Sequence, residues 1–377
     1  MLLETIAFDG TRWTGAFPDL DSEQTLVLVF GASEIIDAQA PLRELRAAYP
    51  RAKITGCSSA GEIHGTRVLD GTLSVAIAKF EHTPLRLSFT TVQSAEDSFG
   101  AGETLARELT KPDLRSILVL SEGLNVNGSE FVRGVNSVVT SNVIVTGGLA
   151  GDGSRFKRTW VLRGGEASSN LVAAVGFYGD RVVVGHGSKG GWDKFGPERK
   201  VTKSTANVLY ELDGNPALAL YKKYLGDRAS ELPASGLLFP LALRANAEAD
   251  KSLVRTILAV DEETQSMTFA GDIPEGHLVQ LMRANMDRLI GAATTAAEMT
   301  RVGADGGQDT LAIAISCVGR RLVLGERIEE ETESALEVLP KGTKQIGFYS
   351  YGEISPYTTG SCDLHNQTMT LTTVTER

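Results

Sequence analysis

The feature that most constrains how this chain can fold is a turn that it writes more than once. Ile54 to Ile63 reads Ile-Thr-Gly-Cys-Ser-Ser-Ala-Gly-Glu-Ile, a short apolar strand that closes on Ser59-Ala60-Gly61-Glu62-Ile63. Gln345 to Ile354 reads Gln-Ile-Gly-Phe-Tyr-Ser-Tyr-Gly-Glu-Ile and closes on Ser350-Tyr351-Gly352-Glu353-Ile354. A looser copy, Val143 to Gly153, places Asp152 where the others carry Glu62 and Glu353. Each turn follows a helix-length segment and an earlier apolar run: Leu26–Phe30, Ile117–Leu120 or Leu311–Cys317. Such runs, bounded by Gly and Ser, are the pattern of strands buried on both faces, and a helix between two of them joins parallel neighbours. The sequence therefore predicts three strand-helix-strand units. Their turns lie at the carboxyl ends of strands, where α/β sheets hold ligands. Glycine there permits close approach of another backbone, and the neighbouring carboxylate is an acceptor. Cys57, Ser58, Ser59, Glu62, Gly148, Asp152, Tyr351 and Glu353 are the candidate ligand-binding residues of these turns.

The rest of the chain divides around this pattern. Residues 1–24, rich in Gly, Asp and Pro, read as a peripheral lead-in. Pro41–Ala48, Ala101–Leu109, Ser129–Val139, Ala217–Leu225, Glu275–Met299 and Ile328–Leu339 read as helices, and Leu73–Phe80, Leu85–Thr91, Leu171–Tyr178, Val182–His186 and Thr368–Thr375 as strands. The character changes at Gly214-Asn215-Pro216, so the boundary falls near residue 213, with an N-terminal domain over 25–213 and a C-terminal one over 214–377. The expected class is mixed α/β, two domains built from repeated strand-helix-strand units with mixed sheets and helices on the outer faces. A length of 377 residues suffices for two such cores.

Composition removes several function classes. A net charge of −10 disfavours nucleic acid or an anionic membrane as the main partner. Three cysteines, Cys57, Cys317 and Cys362, are too few for a disulfide framework. The N-terminus has no basic stretch ahead of an apolar one, and no apolar run reaches the ~18–20 residues of a membrane span. The expectation is a soluble cytoplasmic protein without membrane insertion.

Gly56-Cys57-Ser58-Ser59-Ala60 superficially matches a nucleophile elbow, but no helix follows it, so hydrolysis or acyl transfer by Ser58 or Cys57 stands as an alternative to a tight turn. Gly147–Gly153 follows a strand as a dinucleotide loop would, yet a strand-like segment comes next. The five histidines include no pair at zinc-motif spacing. His365 stands out, with Asn366, in the polar run Ser361–Thr368 directly after the last repeated turn. Arg320 follows the strand Leu311–Cys317 and is a candidate counter-ion for a carboxylate.

Gly56–Ile63, Gly147–Gly153, Tyr210-Glu-Leu-Asp-Gly-Asn-Pro-Ala-Leu218, Tyr221–Gly226, Cys317-Val-Gly-Arg320, Phe348–Ile354 and Leu364–Thr368 together resemble the FIST family, both its N-terminal and C-terminal domains. The resemblance runs over nearly the whole chain. It implies a bacterial sensory module of signal transduction that binds a small ligand, an amino acid or related metabolite, without catalysis. It also implies output through a separate partner such as a histidine kinase or a cyclic-di-GMP enzyme, because no kinase or cyclase segment accompanies it here. Some members bind haem and respond to nitric oxide. Haem b is therefore the alternative cofactor, with His365 and then His186 as its candidate axial ligands.

Overall fold

In a computed structural model, which describes residues 1–249, 251–300, 309–357 and 361–377, the repeated sequence becomes a repeated sheet. The first unit contains β1 (Leu2–Phe8), β2 (Thr25–Ala32), α1 (Ala40–Ala48), β3 (Lys53–Ser59), β4 (Glu62–His64), β5 (Arg67–Leu69) and β6 (Leu73–Lys79). The second contains β7 (Leu85–Thr91), α2 (Ser98–Leu109), β8 (Leu114–Ser121), α3 (Gly128–Asn136), β9 (Ile144–Leu149), β10 (Val161–Arg163), β11 (Glu166–Ser168) and β12 (Leu171–Tyr178). The third opens with β13 (Val182–Lys189) and is then interrupted. The interruption carries β14 (Asp193–Thr205), β15 (Val208–Leu212), β16 (Asn215–Pro216), α4 (Ala217–Leu225), β17 (Leu241–Arg244), β18 (Leu253–Arg255), β19 (Ile257–Asp261), β20 (Ser266–Phe269) and β21 (Leu278–Arg283). The third unit then resumes with α5 (Met286–Met299), β22 (Leu311–Cys317), α6 (Val318–Leu324), α7 (Ile328–Glu337), β23 (Lys344–Ser350), β24 (Gly352–Pro356), β25 (Cys362–His365) and β26 (Met369–Glu376).

The three units share one strand order. It reads β1-β6-β2-β3-β10-β11 in the first sheet, β7-β12-β8-β9-β24-β25 in the second and β13-β26-β22-β23-β4-β5 in the third. In each, the central pair is parallel, as the connecting helix requires. The last hairpin of each sheet comes from another unit: the first lends β4–β5 to the third, the second lends β10–β11 to the first, and the third lends β24–β25 to the second. The exchange closes on itself, so the body is a ring of three related units.

Alternation along the buried strands explains the continuous apolar runs. Leu26, Leu28 and Phe30 of β2, Leu118 and Leu120 of β8, and Leu311, Ile313 and Ile315 of β22 meet in one central core. The intervening Val27 and Val29 pack outward with Leu42 and Leu45 of α1, while Val119, Ala312 and Ala314 join a core that includes residues of α3, α5 and α7. Period-2 strands apolar on both faces can only be satisfied in this way.

Three glycines fix the register of the repeat. A Cβ on Gly56, Gly147 or Gly347 would lie 1.9, 1.9 or 1.8 Å from the carbonyl oxygen of Val29, Val119 or Ala314 on the adjacent strand. The same residues are the register partners across each parallel pair. Counting from these glycines makes Ser59, Ala150 and Ser350 equivalent, and likewise Glu62, Gly153 and Glu353. Asp152 thus stands opposite Gly61 and Gly352, one position before the glutamates, and the second turn has no counterpart of Glu62.

Two sequence expectations change here. The lead-in is not peripheral, because β1 pairs with β6 along its whole length and buries Leu3 and Ile6. Residues 275–299 do not form one helix: β21 takes Leu278–Arg283, and Asn285 then caps α5 by accepting from Arg288 N–H. Residue 213 lies in the tight turn between β15 and β16, which pair with each other in the inserted sheet. That sheet, with α4, has its own core around Leu209, Tyr221, Met267 and Phe269.

Candidate functional site

The three repeated turns meet around the ring axis and hydrogen-bond to one another in a cycle. Gly151 N–H donates to Ser58 O at 3.0 Å, Tyr351 N–H to Leu149 O at 3.1 Å, and Ala60 N–H to Tyr349 O at 2.8 Å. Donors and acceptors occupy equivalent positions in the three copies. A Cβ on Gly151 would sit 2.9 Å from that of Ala60, which is how closely the turns converge.

Glu62 and Glu353, each on the first turn-to-hairpin step, have the same surroundings. Glu62 Oε2 accepts from Thr72 N–H at 3.1 Å and from Thr72 Oγ1 at 2.9 Å; Glu353 Oε2 accepts from Thr368 N–H at 3.1 Å and from its Oγ1 at 2.9 Å. Ser350 Oγ donates to Glu353 at 2.6 Å. Both side chains are buried, and burial raises each carboxyl to about 8, against the opposing pull of these hydrogen bonds. They are largely protonated at neutral pH. Asp152 faces elsewhere, accepting the N–H groups of Phe156, Lys157 and Arg158 at 2.9 Å each and the hydroxyl of Tyr351.

Where neighbouring units abut, the ring has three clefts with different contents. Between the first and second units lies a polar cavity of about 270 Å³, lined by Glu34, Ser59, Ala60, Glu62, Asp70 and Arg155. Arg155 holds Glu34 at 3.0 Å and Ser33 Oγ at 3.0 Å, and lies 3.9 Å from Asp152. Between the second and third units is another cavity of about 270 Å³, walled by Tyr351 and Phe156 and closed by the inserted sheet. The third junction is filled. Arg321, from α6, donates to Ala60 O, pairs with Asp70 at 2.6 Å and packs so tightly on Gly61 that a Cβ there would lie 2.6 Å from its guanidinium.

The structure thus separates the residues singled out in the sequence. Ser59 and Glu62 share the polar cleft, Tyr351 lines the second cavity, and His365 lines a further one of about 340 Å³. Cys57 lies in the central core with its thiol pushed up by burial, and Ser58 Oγ accepts from Trp160 N–H at 3.0 Å. Among the described residues neither has a base beside it, the arrangement a nucleophile needs. Gly148 packs on Ile315 and Phe348. Glu353 is fully buried, and Asn366 is buried with its Nδ2 on His365 O.

Arg320 does not reach a cleft. It is fully buried, with Nε on Glu331 at 3.1 Å, Nη1 on Gly190 O at 2.5 Å and Nη2 on Leu289 O at 2.8 Å. The arginines that do reach the turns are Arg155 and Arg321. Sequence reading missed both, along with Glu34, although Glu34 sits just beyond the carboxyl end of β2, where a ligand contact is expected.

Haem needs an axial nitrogen facing an apolar pocket. His365 Nε2 lies 2.9 Å from Ser355 O, and its cavity also carries Ser188, Lys189, Lys194, Ser252 and Thr368. His186, on β13, lines none of the cavities described above. These residues do not fit a porphyrin. Among the described residues no cluster of three or more His, Cys, Asp and Glu side chains could hold a metal ion, and no helix is long and apolar enough to cross a membrane.

Residues 25–215 match the FIST N domain and residues 217–356 the FIST C domain. The chain belongs to the FIST family. FIST domains are sensory domains that bind small ligands, and the repeated turns described above lie within the two matched segments. No curated protein matches the chain. Among solved structures, cyanuric acid hydrolase from A. caulinodans aligns with 78% of this chain and 100% of its own at 11% identity, with a TM-score of 0.20, too loose a superposition to carry an argument.

Proposed function

We propose that this FIST protein senses a small zwitterionic metabolite, an amino acid or a close relative, in the polar cleft between its first and second units. One observation carries the reading. The cleft brings together a buried glutamate, Ser59, Arg155, Glu34 and Asp70, with Arg155 paired to Glu34 and Asp70 to Arg321. Arginine suits a ligand carboxylate because its planar fork donates two parallel hydrogen bonds, and the acidic groups suit an ammonium. A volume of about 270 Å³ matches a molecule of amino-acid size. Glu62 is tied through Thr72 to the start of β6, and Ala60 through Arg321 to α6 of the third unit. A ligand here therefore touches the first two units and reaches the third through Arg321 on Ala60 O, which is what a sensor needs if binding is to shift its conformational balance. The readout passes to a partner protein such as a histidine kinase or a cyclic-di-GMP enzyme. Binding proceeds without catalysis.

Calorimetric titration with amino acids, and with the matching amines and des-amino acids, tests this. Arg155→Met should weaken carboxylate-bearing ligands by at least tenfold, the ~1.5–3 kcal/mol of a charged hydrogen bond, and leave the amines unaffected. An ammonium beside Glu62 releases its proton, so affinity should rise with pH up to about 8. Equal affinity for all three ligand classes would refute the reading.

A further inference from the structure

The second inter-unit cavity occupies the place equivalent to the polar cleft, one step around the ring, yet its chemistry is reversed. By the glycine register Leu124 stands where the first unit has Glu34. Among the described residues no charged side chain lines it. Its outer wall is Phe156, stacked on Tyr351 with centroids 4.3 Å apart and an interplanar angle of 17°. Phe156 has a φ of +52°, a conformation that a bulky residue rarely adopts, and Asp152 holds it there through its N–H. It is 45% exposed, and Leu258 on the facing lip is 44% exposed, so each side of the seam offers an uncovered apolar side chain to the same opening. Strain kept at a residue whose ring is left half in water is the kind of outlier that marks a ligand contact. Its polar side chains are uncharged: Asn127, the Tyr351 hydroxyl and Asn207, whose Nδ2 donates to Phe269 O at 2.8 Å. Asn127 caps α3 with its Oδ1, and its Nδ2 donates to Asp272 of the inserted sheet at 3.1 Å.

We propose that this cavity is a second binding site, for a flat, uncharged aromatic molecule of one or two rings. The ring extends the Tyr351–Phe156 stack, Leu258 covers its other side, and its polar edge faces Asn127. Offset aromatic stacking supplies the geometric preference, and the missing charges exclude zwitterions and anions. The ligand touches the body through Tyr351 and the inserted sheet through Leu258, so it braces the seam between them. This site is independent of the polar cleft.

Indole serves as the probe, titrated calorimetrically into the full chain. Saturable binding at one equivalent is expected, tighter than that of cyclohexanol, and weakened at least tenfold by Phe156→Ala and by Leu258→Lys. Both positions are exposed, and circular dichroism verifies that the variants fold. Arg155→Met should leave indole affinity unchanged, which separates this proposal from the zwitterion site. Absence of saturable binding, equal affinity for cyclohexanol, or unchanged affinity in the two cavity variants would overturn the proposal.

Discussion

Replacing Arg320 by alanine should unfold this protein more easily and leave ligand recognition alone. The guanidinium is fully buried and has three hydrogen-bond partners: Glu331 at 3.1 Å, Gly190 O at 2.5 Å and Leu289 O at 2.8 Å. Glu331 is equally buried, and its other neighbour is Ser316 Oγ at 2.6 Å on the same oxygen, while Oε2 has no partner. Removing Arg320 therefore strands a carboxylate and two carbonyls in the interior. Breaking a buried pair from one side costs about 3–5 kcal/mol. With a urea dependence of about 3 kcal/mol per molar, the midpoint should fall by about 1 M, followed by circular dichroism and tryptophan fluorescence together. The paired replacement Arg320→Met with Glu331→Leu removes both charges and keeps the volume filled, so it should recover most of that loss. If Arg320→Ala stayed within about 1 kcal/mol of the wild type, or the double variant were no more stable than the single one, the buried-pair argument would fail.

Alanine at Gly56 or Gly347 should destabilise to a similar degree, by about 1–3 kcal/mol or more, because each Cβ meets a strand carbonyl, and at Gly147 by at least as much, since its φ of +147° adds backbone strain; a Gly147 variant more stable than the other two would break the proposed equivalence. Glu62 and Glu353 bind protons more tightly folded than unfolded, so they remove stability as pH rises from about 4.5 to about 8; His64, His186 and His365, lowered by burial, oppose this until they are neutral in the unfolded chain too, so the net decline should show above about 7. Glu62→Gln with Glu353→Gln should flatten that slope, and thermal melts across this window decide it. Asp152→Ala leaves three N–H groups without their acceptor, while the Tyr351 hydroxyl keeps Gly153 O, and should cost about 1–3 kcal/mol, with faster proteolysis at 155–158 as the second readout.

The elements visible in the sequence were those whose burial is written locally. Leu311–Cys317 and Ala217–Leu225 come out as read, because a run buried on both faces, or a helix ended by glycine, leaves its whole signature within a few residues. The hairpins were harder. Glu62–His64 pairs with Ile346–Phe348, which lies nearly three hundred positions away, and nothing in either segment names its partner. The third unit was hidden by its interruption, since β13 and β22 belong to one sheet but are separated by a domain with its own core. Leu278, Leu281 and Met282 fit helical spacing and a strand equally well, and the pairing of β21 with β14 decided between them. Asp152 was misplaced by one residue because carboxylates were matched, whereas the glycines under the strand carbonyls are what the backbone holds fixed.

That distinction carries over to function. The turn cycle of Ser58, Leu149 and Tyr349 with Gly151, Tyr351 and Ala60 uses only backbone atoms, so it constrains where the three junctions lie without dictating what fills them. The contents follow from the residues just beyond the first strand of each central pair. In the first unit this is Ser33-Glu34, which with Arg155 makes a charged cleft; in the second it is Gly123-Leu124, which with Tyr351 and Phe156 makes an apolar one. In the third it is the start of α6, whose Arg321 closes the junction against Ala60 and Asp70. A ring of three equivalent sites has in this way become two unlike cavities and one latch. The latch grips the same turn, Ser59 to Glu62, that forms the floor of the charged cleft, so Arg321 is where occupancy of that cleft would first be felt in the third unit.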